Sequence, residues 1–274
     1  MEIEYNNASL NGLTDSHFHC LAMASKGLDP LGEVEKCKNS GMAEMIEIGL
    51  HPDDLENRRA LLSGVDGIYF SSGLAPAHAA DNNWRHHIET LAAQAESKII
   101  VSIGELGLDW HWDYGTKTSQ TDLMQAQLAI AKQARLPVII HNREADADVL
   151  NILRNADLPS AGIMHCFSSD YDTAKKCIDL GFMISFAGNV TYKNADGIKN
   201  AAQKIPTQSL LVETDAPFLS PQPVRGKPNS PEHIANTYNF IAELRQTTVE
   251  KLAPQVRANL RSILNLPSNT NYRE

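Results

Sequence analysis

The strongest constraint on the fold of this chain is a regular alternation of short apolar runs with longer amphipathic stretches, repeated from one end to the other. This alternation is typical of βα units that build a parallel sheet. Apolar positions recur at helical spacing in Gln120–Ala134, and further helices are predicted at Pro231–Arg245 and Thr248–Leu264. The eight predicted strands are Leu13–His19, Glu44–Leu50, Gly67–Leu74, Ile99–Glu105, Pro137–His141, Ala161–Phe167, Met183–Ala187 and Leu210–Thr214.

Eight such strands in 274 residues favour an α/β fold of the (β/α)8 type, the TIM barrel, since about 250 residues is typical of that fold. No low-complexity tract or flexible linker divides the chain, so we predict one domain over residues 1–274, with polar tails at 1–12 and 266–274. A doubly wound open sheet is the alternative, although no G-x-G-x-x-G motif follows the first strand.

Composition narrows the function classes. The net charge of −9 argues against a protein that grips nucleic acid through a broad basic face, unless bound cations reverse the charge locally. The polar N-terminus and the lack of a long apolar run predict a cytoplasmic protein without membrane contact. The four cysteines form no C-x-x-C pair, which indicates reduced and mostly buried thiols.

Histidines and carboxylates stand at the predicted carboxyl ends of the strands, where barrel enzymes collect their functional groups. His17 and His19 close the first strand, and the two-residue alternation of a strand points both side chains inward. Four more ionisable residues end other strands: Glu105, His141, His165 and Asp215. We therefore expect all six at one rim of the barrel, as metal ligands.

Six protein ligands exceed the three of a usual mononuclear catalytic zinc site, whereas two ions that share a bridging carboxylate use all six. Glu105 is the natural bridge. The mixed donors suit zinc, manganese, iron or cobalt, and magnesium prefers oxygen ligands, so the identity stays open among divalent ions such as magnesium, manganese and zinc. Asp215 is the candidate acceptor of a proton from the attacking water, with a pure ligand role as the alternative.

Three polar residues are predicted to bind substrate. Arg225 and Asn229 lie in the loop after the last strand and suit a phosphate, although a Pro-rich structural loop is an equal alternative. Arg143 follows His141 by two residues and pairs with phosphate or with an acidic neighbour. The aromatic loop Leu108–Tyr114 is expected to stack on unpaired bases or to cap the barrel mouth.

The remaining histidines are assigned to solvent or to structural roles. These six histidines are His51, His78, His86, His87, His111 and His233. Strand alternation also predicts that Cys166, beside His165, points away from the rim.

Six segments in a fixed order form a specific pattern: Thr14–His19, Ile103–Asp109, Leu136–Arg143, His165–Ser168, Glu213–Pro217 and Arg225–Pro231. Together they resemble the TatD-type metal-dependent deoxyribonucleases within the amidohydrolase-like barrels. The resemblance implies that His17, His19 and Asp215 hold one ion. It implies equally that His141 and His165 hold the other ion and that Glu105 contacts both.

Two departures from that family pattern are visible. The family usually has His-Leu-Asp after the first histidine pair, whereas Cys20 and Leu21 follow His19 here. The family also usually has Gly-x-His-Pro-His after the third strand, where this chain reads GLAPAH over Gly73–His78. We expect the ions to bind still, with a changed lining of the pocket.

The function implied by the resemblance is a metal-dependent DNase, an exonuclease that hydrolyses phosphodiester bonds at single-stranded DNA ends. DNA is then the substrate, and no obligatory protein partner is expected. Alternatives on the same metal site are a small-molecule amide, lactone or ester hydrolase and an aminoacyl-tRNA deacylase. A catalytically silent binding protein is the alternative from another class.

Overall fold

The computed structural model describes residues 9–81 and 83–267 and contains one eight-stranded parallel sheet in the order β1 to β8. Each strand pairs with the next one in sequence. A parallel bridge between Phe18 and Ala216 joins the first strand to the segment after the last. The strands are Asp15–Phe18, Met45–Glu47, Ile68–Ser72, Ser102–Asp109, Val138–Arg143, Gly162–Met164, Met183–Phe186 and Leu210–Val212. The predicted TIM barrel and its eight strands are confirmed.

Ten α-helices are found in the described residues, and they surround the sheet. The predicted helix Gln120–Ala134 begins earlier, at Lys117, because the Thr116 side chain accepts a hydrogen bond from the Ser119 amide and caps it. Pro231–His233 forms a short 3-10 turn before the ninth helix. Helices α1 to α10 are Cys20–Ser25, Pro30–Asn39, Leu55–Leu61, Trp84–Glu96, Lys117–Ala134, Asp146–Asn155, Tyr171–Asp179, Asp196–Lys204, Ile234–Leu244 and Val249–Ile263.

Strand β4 differs most from its prediction, since it runs four residues beyond Glu105 to Asp109. The glycines within it broke the apolar pattern, although Leu106 and Leu108 are both buried. Gly107 is required here because a Cβ at this position would lie 1.9 Å from the His141 carbonyl oxygen of strand β5. Glu105 therefore lies inside a strand rather than at its end.

The apolar core lies between the strands and the helices around them. Leu10 and Leu266, both placed by the prediction in polar tails, are buried in this core. The rest of those tails, residues 1–8 and 268–274, lies outside the described residues. Within residues 9–81 and 83–267, no helix combines the length and apolar composition that crossing a bilayer requires.

At the amino end of the barrel, a buried carboxylate is paired with arginines. Glu44, directly before β2, accepts hydrogen bonds from Arg257 Nε at 2.8 Å and Nη2 at 2.9 Å. Arg261 Nη1 donates to the same carboxylate at 2.5 Å. Because both arginines belong to α10, these contacts tie the last helix to the start of a strand.

Candidate metal centre

The carboxyl ends of the strands surround a cavity of about 700 Å³. The six predicted metal ligands come together at its floor, although their elements are far apart in the chain. His17 is completely buried beneath the cavity. The other five line it: His19, Glu105, His141, His165 and Asp215.

Glu105 lies between two pairs of histidines and presents one oxygen to each pair. Its Oε2 lies 3.4 Å from His17 Nε2 and 3.7 Å from His19 Nε2. Its Oε1 lies 2.8 Å from His141 Nδ1 and 3.2 Å from His165 Nε2. One carboxylate thus joins two groups of potential ligands.

Asp215 completes the group around the first strand. Its Oδ1 lies 3.4 Å from His19 Nε2 and 3.8 Å from His17 Nε2. The Asp215 amide donates a hydrogen bond to the His17 carbonyl at 2.8 Å, and this contact sets the carboxylate opposite the histidine pair.

The donor atoms fit divalent cations in spacing and chemistry. The Nε2 atoms of His17 and His19 lie 3.0 Å apart, and both lie 3.4–3.8 Å from Glu105 and Asp215 oxygens. Ligands held at 2.0–2.2 Å around a tetrahedral ion are separated by about 3.3–3.6 Å. The trio of Glu105, His141 and His165 also has its ligand atoms within 4.8 Å of one another. Both groups therefore have the spacing of a metal site.

Electrostatics at the centre favour an ionised carboxylate among imidazoles. Burial raises the pKa of Glu105, but His165 and hydrogen bonds from His141, His165 and His17 outweigh it and hold that pKa well below its usual range. Burial lowers the pKa of His165, but Glu105 and then Glu213 outweigh it and raise that pKa well above its usual range. Burial lowers the pKa of His17, and His165 adds to this effect. The Glu105 carboxylate is thus held in its ionised form by the imidazoles around it, as a metal-binding carboxylate requires.

Two carboxylates that the sequence reasoning did not select support the histidines. Asp109 Oδ2 lies 3.0 Å from His141 Nε2, and Glu213 Oε1 lies 3.4 Å from His165 Nδ1. Such partners orient a metal-binding imidazole and raise its basicity. Asp109 was detectable in principle, because Glu105 and Asp109 share one face of a strand at two-residue alternation.

The three predicted substrate residues differ in position. Arg143 lines the cavity. Arg225 is exposed and is not among the residues that line the cavity; its guanidinium carbon lies 4.3 Å from the centre of the Tyr192 ring. Asn229 is buried, donates to the Thr214 carbonyl at 2.8 Å and accepts from the Ser230 amide at 3.0 Å. These contacts favour the structural-loop alternative for Asn229, because its amide holds the loop beside Asp215.

Aromatic side chains stand on the cavity rim as the sequence indicated. Trp112 and Tyr114 line the cavity, and the Trp112 side chain is 53% exposed. Trp110 instead packs partly against the core and donates from Nε1 to Asp148 at 3.0 Å. Phe218, which the sequence reasoning missed, lines the cavity and is 43% exposed.

The prediction for Cys166 was wrong, because this residue lines the cavity. Strand β6 ends at Met164, and Cys166 has a left-handed φ of 45°, so strand alternation no longer sets its direction.

The departure from the family pattern after the third strand changes the lining of the cavity, as expected. Ala75 and Ala77 line the cavity where the usual family pattern has two histidines.

Comparison with protein families gives one match over nearly the whole chain. A family model described as "TatD related DNase" matches residues 14–265. The chain is 35% identical over 255 residues to the metal-dependent hydrolase YabD of Bacillus subtilis, covering 93% of this chain and 99% of that protein. It is 37% identical over 221 residues to the metal-dependent hydrolase YcfH of Escherichia coli, covering 80% of each.

Solved structures show the same architecture. The TatD homologue YjjV from Escherichia coli superposes with a TM-score of 0.87 at 28% identity, covering 94% of this chain and all of that one. A TatD family hydrolase from Entamoeba histolytica superposes with a TM-score of 0.81 at 17% identity, covering 93% and 99% of the two chains, and so shares the fold.

Proposed function

Because the chain belongs to the TatD family of metal-dependent hydrolases, we propose that it is a deoxyribonuclease that hydrolyses phosphodiester bonds at single-stranded DNA ends with two divalent cations. The observation that carries this proposal is the position of Glu105. Its two carboxylate oxygens face two separate histidine pairs, as expected of a residue that contacts two ions.

In the proposed mechanism, His17, His19 and Asp215 would hold one cation, His141 and His165 would hold the other, and Glu105 would contact both. Two divalent cations, when bound, supply a nucleophile from water at neutral pH and stabilise charge on the attacking and leaving oxygens. Asp215 lines the cavity with its carboxylate, and we assign to it the acceptance of a proton from the attacking water. Asp109 and Glu213 hold His141 and His165 in place.

We assign substrate recognition to the side chains on the cavity rim. Arg143 lines the cavity with its guanidinium carbon 5.5 Å from the centre of the Trp112 ring, so it offers a positive charge to a phosphate beside an aromatic face. Exposed Trp112 and Phe218 suit stacking on unpaired bases. Arg143 and the size of the cavity favour a nucleic acid over a small amide. Because the net charge is −9, we assign the attraction for DNA to Arg143 and to the cations that the central site would hold.

We also propose that the protein works in the cytoplasm and without an obligatory protein partner. All four cysteines are free thiols, and Cys20, Cys37 and Cys177 are buried. Such thiols suit a reducing compartment.

The direct test uses the purified full chain with end-labelled single-stranded DNA and with circular single-stranded DNA. With magnesium, manganese or zinc added in turn, we expect at least one ion to support shortening of the linear DNA while the circle stays intact. His17→Ala and Asp215→Asn should abolish the activity. His86→Ala is the matched control, because His86 is exposed on α4 and belongs to none of the candidate ligand groups, so the rate should stay unchanged.

The outcomes separate the candidate functions. Equal rates for His17→Ala and the wild type would show that the assigned centre is wrong. Intact DNA, combined with His17-dependent cleavage of esters, lactones, amides or aminoacyl-tRNA, would move the function to the alternative substrates. Cleavage of circular DNA would reject the preference for ends.

A further inference from the structure

Three histidines outside the central site lie together beside the cavity. The His51 ring centre lies 4.9 Å from that of His78 and 4.3 Å from that of His87. They come from three segments: the turn after β2, the turn after β3 and the first turn of α4. In the sequence, His51 and His78 fall near rim loops and His87 near a helix, and solvated or structural roles were expected for all three.

Asp53 adds a carboxylate to this group. Its Oδ2 lies 3.3 Å from His87 Nδ1 and 3.8 Å from His51 Nδ1. The ligand atoms that His51, Asp53 and His87 can offer lie within 4.8 Å of one another. The two measured separations match or slightly exceed the distance of about 3.3–3.6 Å between ligands of a tetrahedral zinc ion, so a small side-chain movement closes the site.

The surroundings of the group suit a cation that enters from solvent. The Asp53 side chain is 55% exposed, whereas those of His51 and His87 are mostly shielded. The Asp53 amide donates to His51 Nδ1 at 3.2 Å, and coordination through this nitrogen replaces that single hydrogen bond.

We propose that His51, Asp53 and His87 form a second metal site, for a zinc-class divalent cation, on the rim of the cavity and separate from the central site. Three protein ligands leave one position open for water or for His78, whose ring lies next to that of His51. Two imidazoles in three ligands select zinc, nickel or copper over magnesium. Leu50 and Ala77, next to His51 and His78 in sequence, line the cavity, so the cation lies beside the substrate path.

The test counts bound zinc on the full chain by equilibrium dialysis and elemental analysis. We expect the wild type to bind one more zinc ion per chain than His87→Ala. His86→Ala is the matched control, because His86 is the adjacent histidine of α4 and belongs to neither group of ligands, and it should bind as much zinc as the wild type. Asp53→Ala, a change at an exposed side chain, should weaken zinc binding at this site by at least about tenfold.

The same count in a His17→Ala, Glu105→Ala background separates this site from the central one. The rim zinc should remain there and should disappear when His87→Ala is added, whether or not the protein proves to be a deoxyribonuclease. Equal zinc in the wild type, His87→Ala and Asp53→Ala would overturn the proposal. Equal loss of zinc in His86→Ala and His87→Ala would overturn the assigned ligands. Circular dichroism confirms that each variant is folded.

Discussion

Each end of the barrel buries a carboxylate, but the side chains around the carboxylate differ between the two ends. At the amino end, Glu44 is paired with the guanidinium groups of Arg257 and Arg261. At the carboxyl end, Glu105 is surrounded by imidazoles, including those of His141 and His165. Both carboxylates are almost fully shielded from water.

The difference lies in the charge of the partners. An arginine keeps its positive charge at every ordinary pH, so the pairs at the amino end need nothing else. An imidazole can lose its proton and bind a metal ion through the freed nitrogen, so the cluster at the carboxyl end can balance its carboxylates with protons or with metal ions. We therefore expect changes at the amino end to affect stability and changes at the carboxyl end to affect metal binding and activity.

The sharpest test of this contrast is Glu105→Gln. The substitution keeps the shape of the side chain and removes the charge that faces both histidine pairs. We expect loss of bound divalent metal and a fall in hydrolytic rate of about a thousandfold or more, since metal catalysis contributes several kcal/mol and each ~1.4 kcal/mol is tenfold. Elemental analysis and initial rates measure the two effects, and full metal content in the variant would contradict the bridging role.

The opposite test is Glu44→Gln at the amino end. It leaves Arg257 and Arg261 without their anion, but these side chains are 35% and 21% exposed, so water replaces part of the lost interaction. We expect a loss of about 2–3 kcal/mol in the free energy of unfolding, below the 3–5 kcal/mol of a fully buried pair. Urea unfolding measures this loss.

The hydrolytic rate of the Glu44→Gln protein shows whether the two ends of the barrel act independently. The folded Glu44→Gln protein should keep the rate and metal content of the wild type. Glu56→Gln is the control, because Glu56 pairs with Arg59 on the surface and should change stability by less than about 1 kcal/mol. A fall in the rate of folded Glu44→Gln would show that the ends are coupled.

A smaller effect is expected for Asp109→Asn, which acts on the metal site through His141. The carboxylate oxygen at 3.0 Å from His141 Nε2 is replaced by an amide, which holds the ring less well in its metal-binding state. We expect a loss of about 10- to 100-fold in the affinity of the metal at the His141 and His165 pair. Calorimetric titration measures it, with Asp113→Asn on the exposed loop as control. Unchanged affinity would assign Asp109 to structure alone.

The sequence predicted most of the architecture because strands and helices leave periodic patterns. It also predicted the convergence of six ligands, since the parallel topology brings the carboxyl ends of strands such as β1 and β5 to one rim. The interruption by Gly107 hid the end of β4 and with it the supporting role of Asp109. A glycine that a neighbouring backbone requires looks, in a single sequence, like the start of a loop.

Loops were the other source of error, because their side chains follow tertiary contacts rather than a period. The sequence left Asn229 open between a substrate contact and a structural loop, and its amide holds the backbone of Thr214. His51 and His87 come together only through the packing of α4 against the turn after β2, which no local pattern records.

The smallest expected effect separates two arginines at the carboxyl end of the barrel, one at the end of β5 and one in the loop after β8. Arg143 lines the cavity, whereas Arg225 stacks on Tyr192 in an exposed position. If Arg143 contacts a phosphate of single-stranded DNA, Arg143→Ala should raise KM by about tenfold, which corresponds to ~1.4 kcal/mol, and should reduce the slope of log KM against log salt concentration by about 0.7. Arg225→Ala should change KM by less than about twofold with an unchanged salt slope. The salt slope counts phosphate contacts and does not respond to a general loosening of the structure around the substituted residue. A larger slope change for Arg225→Ala than for Arg143→Ala would therefore place the DNA backbone across the loop after the last strand instead of beside β5.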